Sequence, residues 1–150
     1  MAQTMRSDQG IEEQNKEIVE RFVREVVNGG NYGVADELFA EKYVRHDPTI
    51  PEEMRGPEGF KETVEMWRTG FPDVEMTLEE MIAEGDIVAF RATETGTHEG
   101  EFMGIEPTGE RYEVTGNVMH RLEGGKLTET WACFDMLGLF SQLGVVEMPR

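Results

Sequence analysis

The hydrophobic pattern of the chain changes once, near Phe71, and this change restricts the fold more than any other feature. Before that point apolar residues recur at helical spacing, in three segments interrupted by one short strand. After it, four long segments have the character of strands and are separated by glycine-containing turns. The expected helices span about residues 11–28, 31–39 and 56–71, and the expected strands 43–46, 73–84, 86–98, 110–123 and 126–135. Helices followed by consecutive strands are typical of an α+β domain with an antiparallel sheet.

A chain of 150 residues fits one domain and is too short for two good cores. Residues 1–10 are polar and are expected to form a flexible tail, residues 11–146 the domain, and residues 147–150 a second tail. Three helices laid on a curved sheet would enclose one apolar pocket. The expected ligand is therefore a small apolar molecule.

The charge of the chain argues against two classes of partner. Its formal net charge is −17, from 31 acidic and 14 basic residues. Nucleic acids and anionic membrane surfaces would repel it, and no apolar run reaches the roughly 18 residues of a membrane span. We therefore expect neither partner. Because residues 1–10 lack the apolar stretch of a signal peptide, we expect a cytoplasmic protein.

The acidic surface also has a bearing on the salt dependence of the protein. The chain has only four lysines, and an acidic surface poor in lysine resembles that of proteins from salt-loving organisms. In such proteins salt screens the repulsion between like charges. The two interpretations are a halophilic protein and an ordinary acidic one.

Four motifs, in order, resemble the SnoaL-like polyketide cyclases and predicted ester cyclases of the NTF2-like superfamily. They are Phe71-Pro72-Asp73, the segment 97–109 with the sequence THEGEFMGIEPTG, the segment 125–131 with the sequence GKLTETW, and Gln142-Leu143-Gly144. The resemblance implies a cone-shaped α+β barrel, with three N-terminal helices packed on a curved antiparallel sheet. It also implies a homodimer that needs neither a metal nor an organic cofactor.

The resemblance further implies a chemistry, the intramolecular aldol closure of polyketide esters with an aspartate as acid and base. In the family this aspartate directly follows the tryptophan that corresponds to Trp131, where this chain has Ala132. Alanine cannot move a proton, and the assisting histidine of the family corresponds to a position near Thr115. We therefore expect that this chain does not close the ring that its relatives close.

The register of the last two strands assigns side chains to the two faces of the sheet. A two-residue turn at Gly124-Gly125 would pair Asn117 with Ala132. One face would then carry Thr115, Asn117, Met119, Thr130, Ala132 and Phe134, and the other His120, Glu129, Trp131, Cys133 and Asp135. On this register His120 and Glu129 form a cross-strand charge pair, and Cys133 is a buried, unreactive thiol. A longer turn or a β-bulge would instead move Asp135 to the first face.

Asp135 is the candidate acid–base residue, because an aspartate that is buried at the end of an apolar strand has a raised pKa. The alternative is that Asp135 caps a helical turn that begins at Met136. Arg91 either neutralises an oxygen of the ligand or pairs with one of the many glutamates. The other residues expected in the pocket are Trp67, Phe71, Thr115, Asn117, Thr130, Trp131 and Phe134.

The remaining histidines offer weaker candidates. His46 and Asp47, which precede a proline, form either an Asx-type turn with an exposed histidine or a catalytic pair. His98 is expected to be exposed at a strand end. The three histidines lack the spacing of metal ligands, so no metal site is expected.

Three functions are compatible with these residues. The first is an enzyme, cyclase- or isomerase-like, that acts on an apolar carbonyl or ester compound by acid–base proton transfer. The second is a non-catalytic module of the same fold that binds a small ligand. The third is a dimerisation domain. A titratable side chain inside a closed cavity would favour the first.

Overall fold

The computed structural model describes residues 2–50 and 52–149, with side chains from residue 10 onward. Within these residues the chain forms four α-helices, six strands and a π-helical segment, Val23–Asn28. The helices are α1 (Ala2–Phe22), α2 (Gly33–Leu38), α3 (Gly56–Gly70) and α4 (Met136–Gln142). The strands are β1 (Phe39–His46), β2 (Met54–Arg55), β3 (Glu75–Glu84), β4 (Ile87–Thr97), β5 (Arg111–Glu123) and β6 (Lys126–Phe134). None of the described helices is long and apolar enough to cross a membrane.

All six strands belong to one sheet, in the order β2-β1-β6-β5-β4-β3. β1 runs parallel to β6, and the other neighbouring strands are antiparallel. α1 packs on β3 and β4, and α3 packs on β1. The α+β architecture expected from the sequence is confirmed, with α4 as a further helix.

The predicted strand boundaries agree with β3 to β6 within two residues at each end. The long alternating segments account for this agreement, since turn residues mark both ends of each. At the N-terminus, helix α1 begins at Ala2, so helical backbone extends through the segment expected to be a tail.

The turn between β5 and β6 is the predicted two-residue turn, with φ of +57° at Gly124 and +80° at Gly125. Next to it Leu122 pairs with Leu127, as the prediction requires. Thr128 is then an extra residue on β6, and it forms a β-bulge that shifts all later pairs by one. The predicted register is therefore wrong beyond the bulge.

Beyond the bulge, each side chain of β6 lies on the face of the sheet opposite to the predicted one. Ala132 pairs with Val118 instead of Asn117, and His120 pairs with Thr130 instead of Glu129. The side chains of Thr130 and Ala132 consequently lie on the buried face, whereas Trp131 and Cys133 lie on the outer one.

The core lies between the inner face of the sheet and the helices. At its centre the rings of Phe39 and Phe60 stack 4.0 Å apart, with Phe22 edge-on to both. A second cluster, around Phe71 and Tyr112, packs against α4. Each fully buried large side chain contributes about 1.5–3 kcal/mol to the free energy of unfolding. These clusters therefore hold the helices in place against the inner face of the sheet.

Candidate active site

Two recesses lie on opposite faces of the sheet. The inner cavity, of about 60 Å³, is enclosed between the sheet, α1 and α3, and its wall includes Arg45, Trp67, Glu94, His120, Phe134 and Met136. The outer groove, of about 790 Å³, is open to solvent, and its wall includes His46, Ile82, Arg91, Asn117, Met119 and Trp131. The larger recess has the volume of an ordinary ligand site, so the choice between the two depends on their chemistry.

Glu94 is the deeply buried acidic side chain of the inner cavity, whose wall also includes Asp47. Glu94 comes from β4, in phase with Phe90 and Ala92, and is only 4% exposed. Its Oε2 atom has no hydrogen-bond partner among the described residues. Burial raises the pKa of Glu94 to about 8, although the nearby Tyr112 hydroxyl and the charge of Arg45 oppose the shift. A carboxyl group with this pKa can both take up and release a proton near neutral pH.

His120 is a neutral hydrogen-bond donor in the same cavity. Burial, and then the charge of Arg45, lower its pKa to about 3, so the ring is uncharged at neutral pH. The Tyr43 hydroxyl donates to Thr130 Oγ1 at 2.7 Å, and Thr130 Oγ1 lies 2.7 Å from His120 Nδ1. Thr130 can accept from Tyr43 and donate its own proton to Nδ1 at the same time, and in that arrangement the ring proton of His120 lies on Nε2. Within the described part of the chain that Nε2 atom has no partner.

Arg45 brings a positive charge to the mouth of the inner cavity. It lies two residues beyond the buried Tyr43 on β1, and therefore on the same face of the sheet. Its Nη2 atom is 3.5 Å from Asp47 Oδ2, and its buried Nε atom has no partner among residues 10–50 and 52–149. Asp47 Oδ1 accepts the backbone N–H of Thr49 at 2.9 Å, which forms the Asx-type turn expected from the sequence.

In the outer groove, by contrast, charged side chains pair with one another. Arg91 binds Glu80 at 3.0 Å, and His46 Nε2 lies 2.7 Å from Glu129 Oε2. The His46 ring also stacks on Trp131 at 5.5 Å between ring centroids. Charged groups that already have partners gain little binding free energy from a ligand. The outer groove is therefore a weaker candidate for a reactive site than the inner cavity.

Comparisons with known proteins identify the family and the relatives of this chain. The family model for the SnoaL-like polyketide cyclases matches residues 17–143. The chain belongs to this family. It is 31% identical over 133 residues to an aklanonic acid methyl ester cyclase of Streptomyces sp. strain C5, across 82% of this chain and 80% of that one. A second aklanonic acid methyl ester cyclase, from Streptomyces peucetius, is 31% identical over 136 residues, across 85% of this chain and 89% of that one.

The solved structures agree with the family. A protein of Jannaschia sp. CCS1 that is assigned to the SnoaL-like polyketide cyclases superposes with a TM-score of 0.83 at 26% identity, across 93% of this chain and 96% of that one. The NTF2-like fold expected from the motifs is therefore confirmed.

Within this SnoaL-like fold, the residues predicted to line the pocket fall into three groups. Trp67 and Phe134 line the inner cavity, and Thr130 belongs to its hydrogen-bond network. Arg91, Asn117 and Trp131 line the outer groove. Phe71 is buried in the core cluster near α4, and Thr115 is exposed.

Asp135 is the N-cap of α4. Its Oδ1 atom accepts the backbone N–H of Gly138 at 2.8 Å, and its side chain is exposed. The bulge moves it to the face of Thr115 and Asn117, as the alternative register anticipated, but that face is the outer one. Among the residues that line the two recesses, Asp135 is absent.

Three further expectations differ from the structure. His98 is fully buried, not exposed, and its Nδ1 atom accepts the backbone N–H of Thr108 at 3.1 Å. His120 does not pair with Glu129, because the bulge places Thr130 opposite it. Cys133 is exposed for the same reason.

Sequence reasoning missed Glu94 and Arg45. A signal was present for each, because Glu94 is in phase with the apolar residues Phe90 and Ala92, and Arg45 follows Tyr43 by two. Arg91, the residue of β4 predicted to reach the ligand, lies in the other phase and faces the outer groove. Among the described residues, no group of three or more His, Cys, Asp or Glu side chains is arranged to hold a metal ion.

Proposed function

We propose that this chain is an enzyme that transfers a proton to and from a carbon atom next to a carbonyl group, in a small and largely apolar ketone or ester. The observation that carries the proposal is the pair of buried groups without partners in the inner cavity of the described structure, Glu94 Oε2 and His120 Nε2. One is a carboxyl group whose pKa is raised to about 8 and the other is a neutral donor.

The two groups act on different parts of the ligand. The ionised carboxylate of Glu94 removes the proton from the carbon, and the electron pair of the broken C–H bond moves onto the carbonyl oxygen to form an enolate. His120 pairs with Val88, six residues from Glu94 along β4, so its Nε2 proton is placed for a second, more distant oxygen of the ligand and not for the enolate oxygen. Return of the proton from Glu94 to the carbon, or attack of the enolate on a second carbonyl, completes the turnover.

The position of Ala132 supports this assignment of the acid. Its side chain lies in the same core cluster as Phe90 and Val118, on the inner face of the sheet. An aspartate at that position would face the interior, as the family pattern requires. Glu94 faces the same interior from β4, and we infer that it supplies the carboxyl group that position 132 lacks.

The test measures by NMR how fast carbon-bound protons of butanone, cyclopentanone and methyl 4-oxopentanoate exchange with D₂O. The protein is expected to accelerate exchange next to the carbonyl, and the rate is expected to rise with pH up to about 8, because the base must be ionised. Glu94→Gln should lower the rate roughly 10²–10⁴-fold. Glu80→Gln removes an equal charge from an exposed position and should leave the rate unchanged.

Two results would contradict the proposal. An unchanged rate in Glu94→Gln would remove Glu94 from the reaction. The absence of acceleration for every compound would favour the alternative function, a module that binds a ligand without changing it.

We also propose that two copies associate through the outer groove. Its apolar side chains are unusually exposed for a folded domain, with Ile82 at 71% and Met119 at 40%. An antiparallel sheet with helices on one face only has a second face that a partner can cover. Arg45 and Asp47 line both recesses, so the second copy would lie next to the mouth of the inner cavity.

A further inference from the structure

The inner cavity holds a positive charge that the proposed proton transfer does not use. The side chain of Arg45 is only 11% exposed, and its Nε atom is buried without a partner among the described residues. Its one ion pair within the described part of the chain is with Asp47, at 3.5 Å, which exceeds the length of a good hydrogen bond. Asp47 in turn is held by the N–H of Thr49. The buried Nε atom thus has no partner among the described residues, and a ligand that also reaches Nη2 would replace the long contact with Asp47.

Asp47 offsets part of the charge of Arg45, and the other titratable groups around the cavity add no negative charge beside it. Burial keeps Glu94 largely protonated at neutral pH, because its pKa is about 8, and keeps His120 uncharged, because its pKa is about 3. Burial likewise raises the pKa of Tyr43, which stays neutral. The second cation of the wall, Arg68, donates to the backbone carbonyl groups of Val27 and Asn28, at 3.0 Å each.

A buried guanidinium is costly unless an anion with matching geometry accepts its hydrogen bonds. The Nε and Nη2 protons of arginine point in parallel, and a carboxylate accepts both at once. A cavity of about 60 Å³ has room only for a compact group at this position. A carboxylate meets the requirements of charge, shape and size.

We propose that the ligand of the inner cavity carries a carboxylate bound by Nε and Nη2 of Arg45, so that the substrate is a small oxo acid rather than its ester. This rests on the proposed function for the identity of the reacting carbonyl group. The relatives named above are cyclases of a methyl ester, which has no such charge at that end. Preference for the free acid would therefore separate this chain from them.

The test compares matched pairs of compounds, 2-oxobutanoate and 4-oxopentanoate, each with its methyl ester. Two chain lengths are used because they place the carbonyl group at different distances from the carboxylate. Affinity is measured by calorimetry and proton exchange by NMR, at one pH. The intact protein is expected to bind at least one acid roughly 10- to 100-fold more tightly than its ester, since hydrogen bonds to charged groups contribute that much.

The variants locate the preference at Arg45. Arg45→Met keeps the length of the side chain without its charge, and should lower the affinity for the acid roughly 10- to 100-fold while leaving the ester unaffected. Arg45→Lys keeps the charge but loses the two parallel protons, and should give an intermediate affinity. Arg24→Gln removes an equal charge from an exposed position of the π-helical segment and serves as the control. Circular dichroism verifies that each variant is folded.

The outcomes separate this proposal from the proposed function. Equal affinity for acid and ester, or an affinity for the acid that Arg45→Met and Arg45→Lys both leave unchanged, overturns the carboxylate site. Loss of exchange in Glu94→Gln would still support the proposed function in that case. Tight binding of the acid without any exchange supports the carboxylate site and overturns the proposed function.

Discussion

The inner cavity and the outer groove share the same strands, but among the described residues polar groups lack partners in the inner cavity and are paired in the outer groove. On the inner face Glu94, His120 and Arg45 each have a buried atom without a partner in the described structure. On the outer face Arg91 pairs with Glu80, and His46 pairs with Glu129. Unpaired buried groups lower the free energy of unfolding, and they persist where a ligand or a reaction can use them. The smaller recess is therefore the better functional candidate, although the larger one has the more usual volume.

The pH dependence of stability should show the largest difference between the two regions. The pKa of Glu94 is about 8 in the folded chain and 4.5 for an ordinary glutamate, so unfolding releases its proton at pH values between the two. The contribution of Glu94 to the free energy of unfolding should therefore fall as pH rises from about 4.5 to 8. That of His120, whose pKa is lowered from 6.5 to about 3, rises up to about pH 6.5, so the net fall lies between about pH 6.5 and 8. The total loss from this group is roughly 5 kcal/mol, at 1.36 kcal/mol per pKa unit. Urea titrations from pH 4 to 9 measure it.

Glu94→Gln and Glu80→Gln form the comparison for this prediction. Glutamine does not titrate, so the free energy of unfolding of Glu94→Gln should exceed that of the intact protein by an amount that grows with pH up to about 8. Glu80 is exposed, and Glu80→Gln should run parallel to the intact protein. Parallel curves for both variants would mean that Glu94 is solvated, which would remove the basis of its assignment.

The sequence predicted the strands and turns of both regions, but it assigned residues of β6 to the wrong faces of the sheet. The long alternating segments and the turn at Gly124-Gly125 fixed the strands, and four motifs identified the family. The inward positions of β6 depend on Thr128, a single extra residue with no mark in the sequence. Alternation along β4 contained enough information to find Glu94. Glutamate is almost never fully buried without a partner, so its position in the apolar phase of β4 is not what composition alone predicts.

The prediction for the outer groove concerns self-association of the protein, and the expected effect is of intermediate size. Ile82→Asp places a charge in the centre of its exposed apolar surface, and should weaken the dimer by roughly 10-fold or more. Sedimentation over a range of protein concentrations measures the change. Ile11→Asp introduces the same charge at another exposed isoleucine, in α1, and should leave association unchanged.

The two regions should respond independently in this experiment. Ile82→Asp is expected to keep the proton-exchange activity of the inner cavity, because the sheet separates Glu94 from the outer groove. A monomeric intact protein would contradict the proposed dimer. Loss of activity together with loss of the dimer would instead mean that the cavity depends on the second copy.

Asp135 should give the smallest effect, and it tests whether the outer side of β6 takes part in the reaction. Its Oδ1 atom accepts the N–H of Gly138, so Asp135→Ala should lower the free energy of unfolding by about 1 kcal/mol through loss of the helix cap. Asp135→Asn should change it by only a few tenths, because asparagine caps a helix about as well as aspartate. Neither substitution should alter proton exchange, since the side chain is exposed and absent from the described walls of both recesses. A loss of exchange of roughly 10²–10⁴-fold in Asp135→Asn, with stability intact, would identify Asp135 as the acid–base group instead. The reaction would then belong to the outer face of the sheet, and the unpaired atoms of the inner cavity would need another explanation.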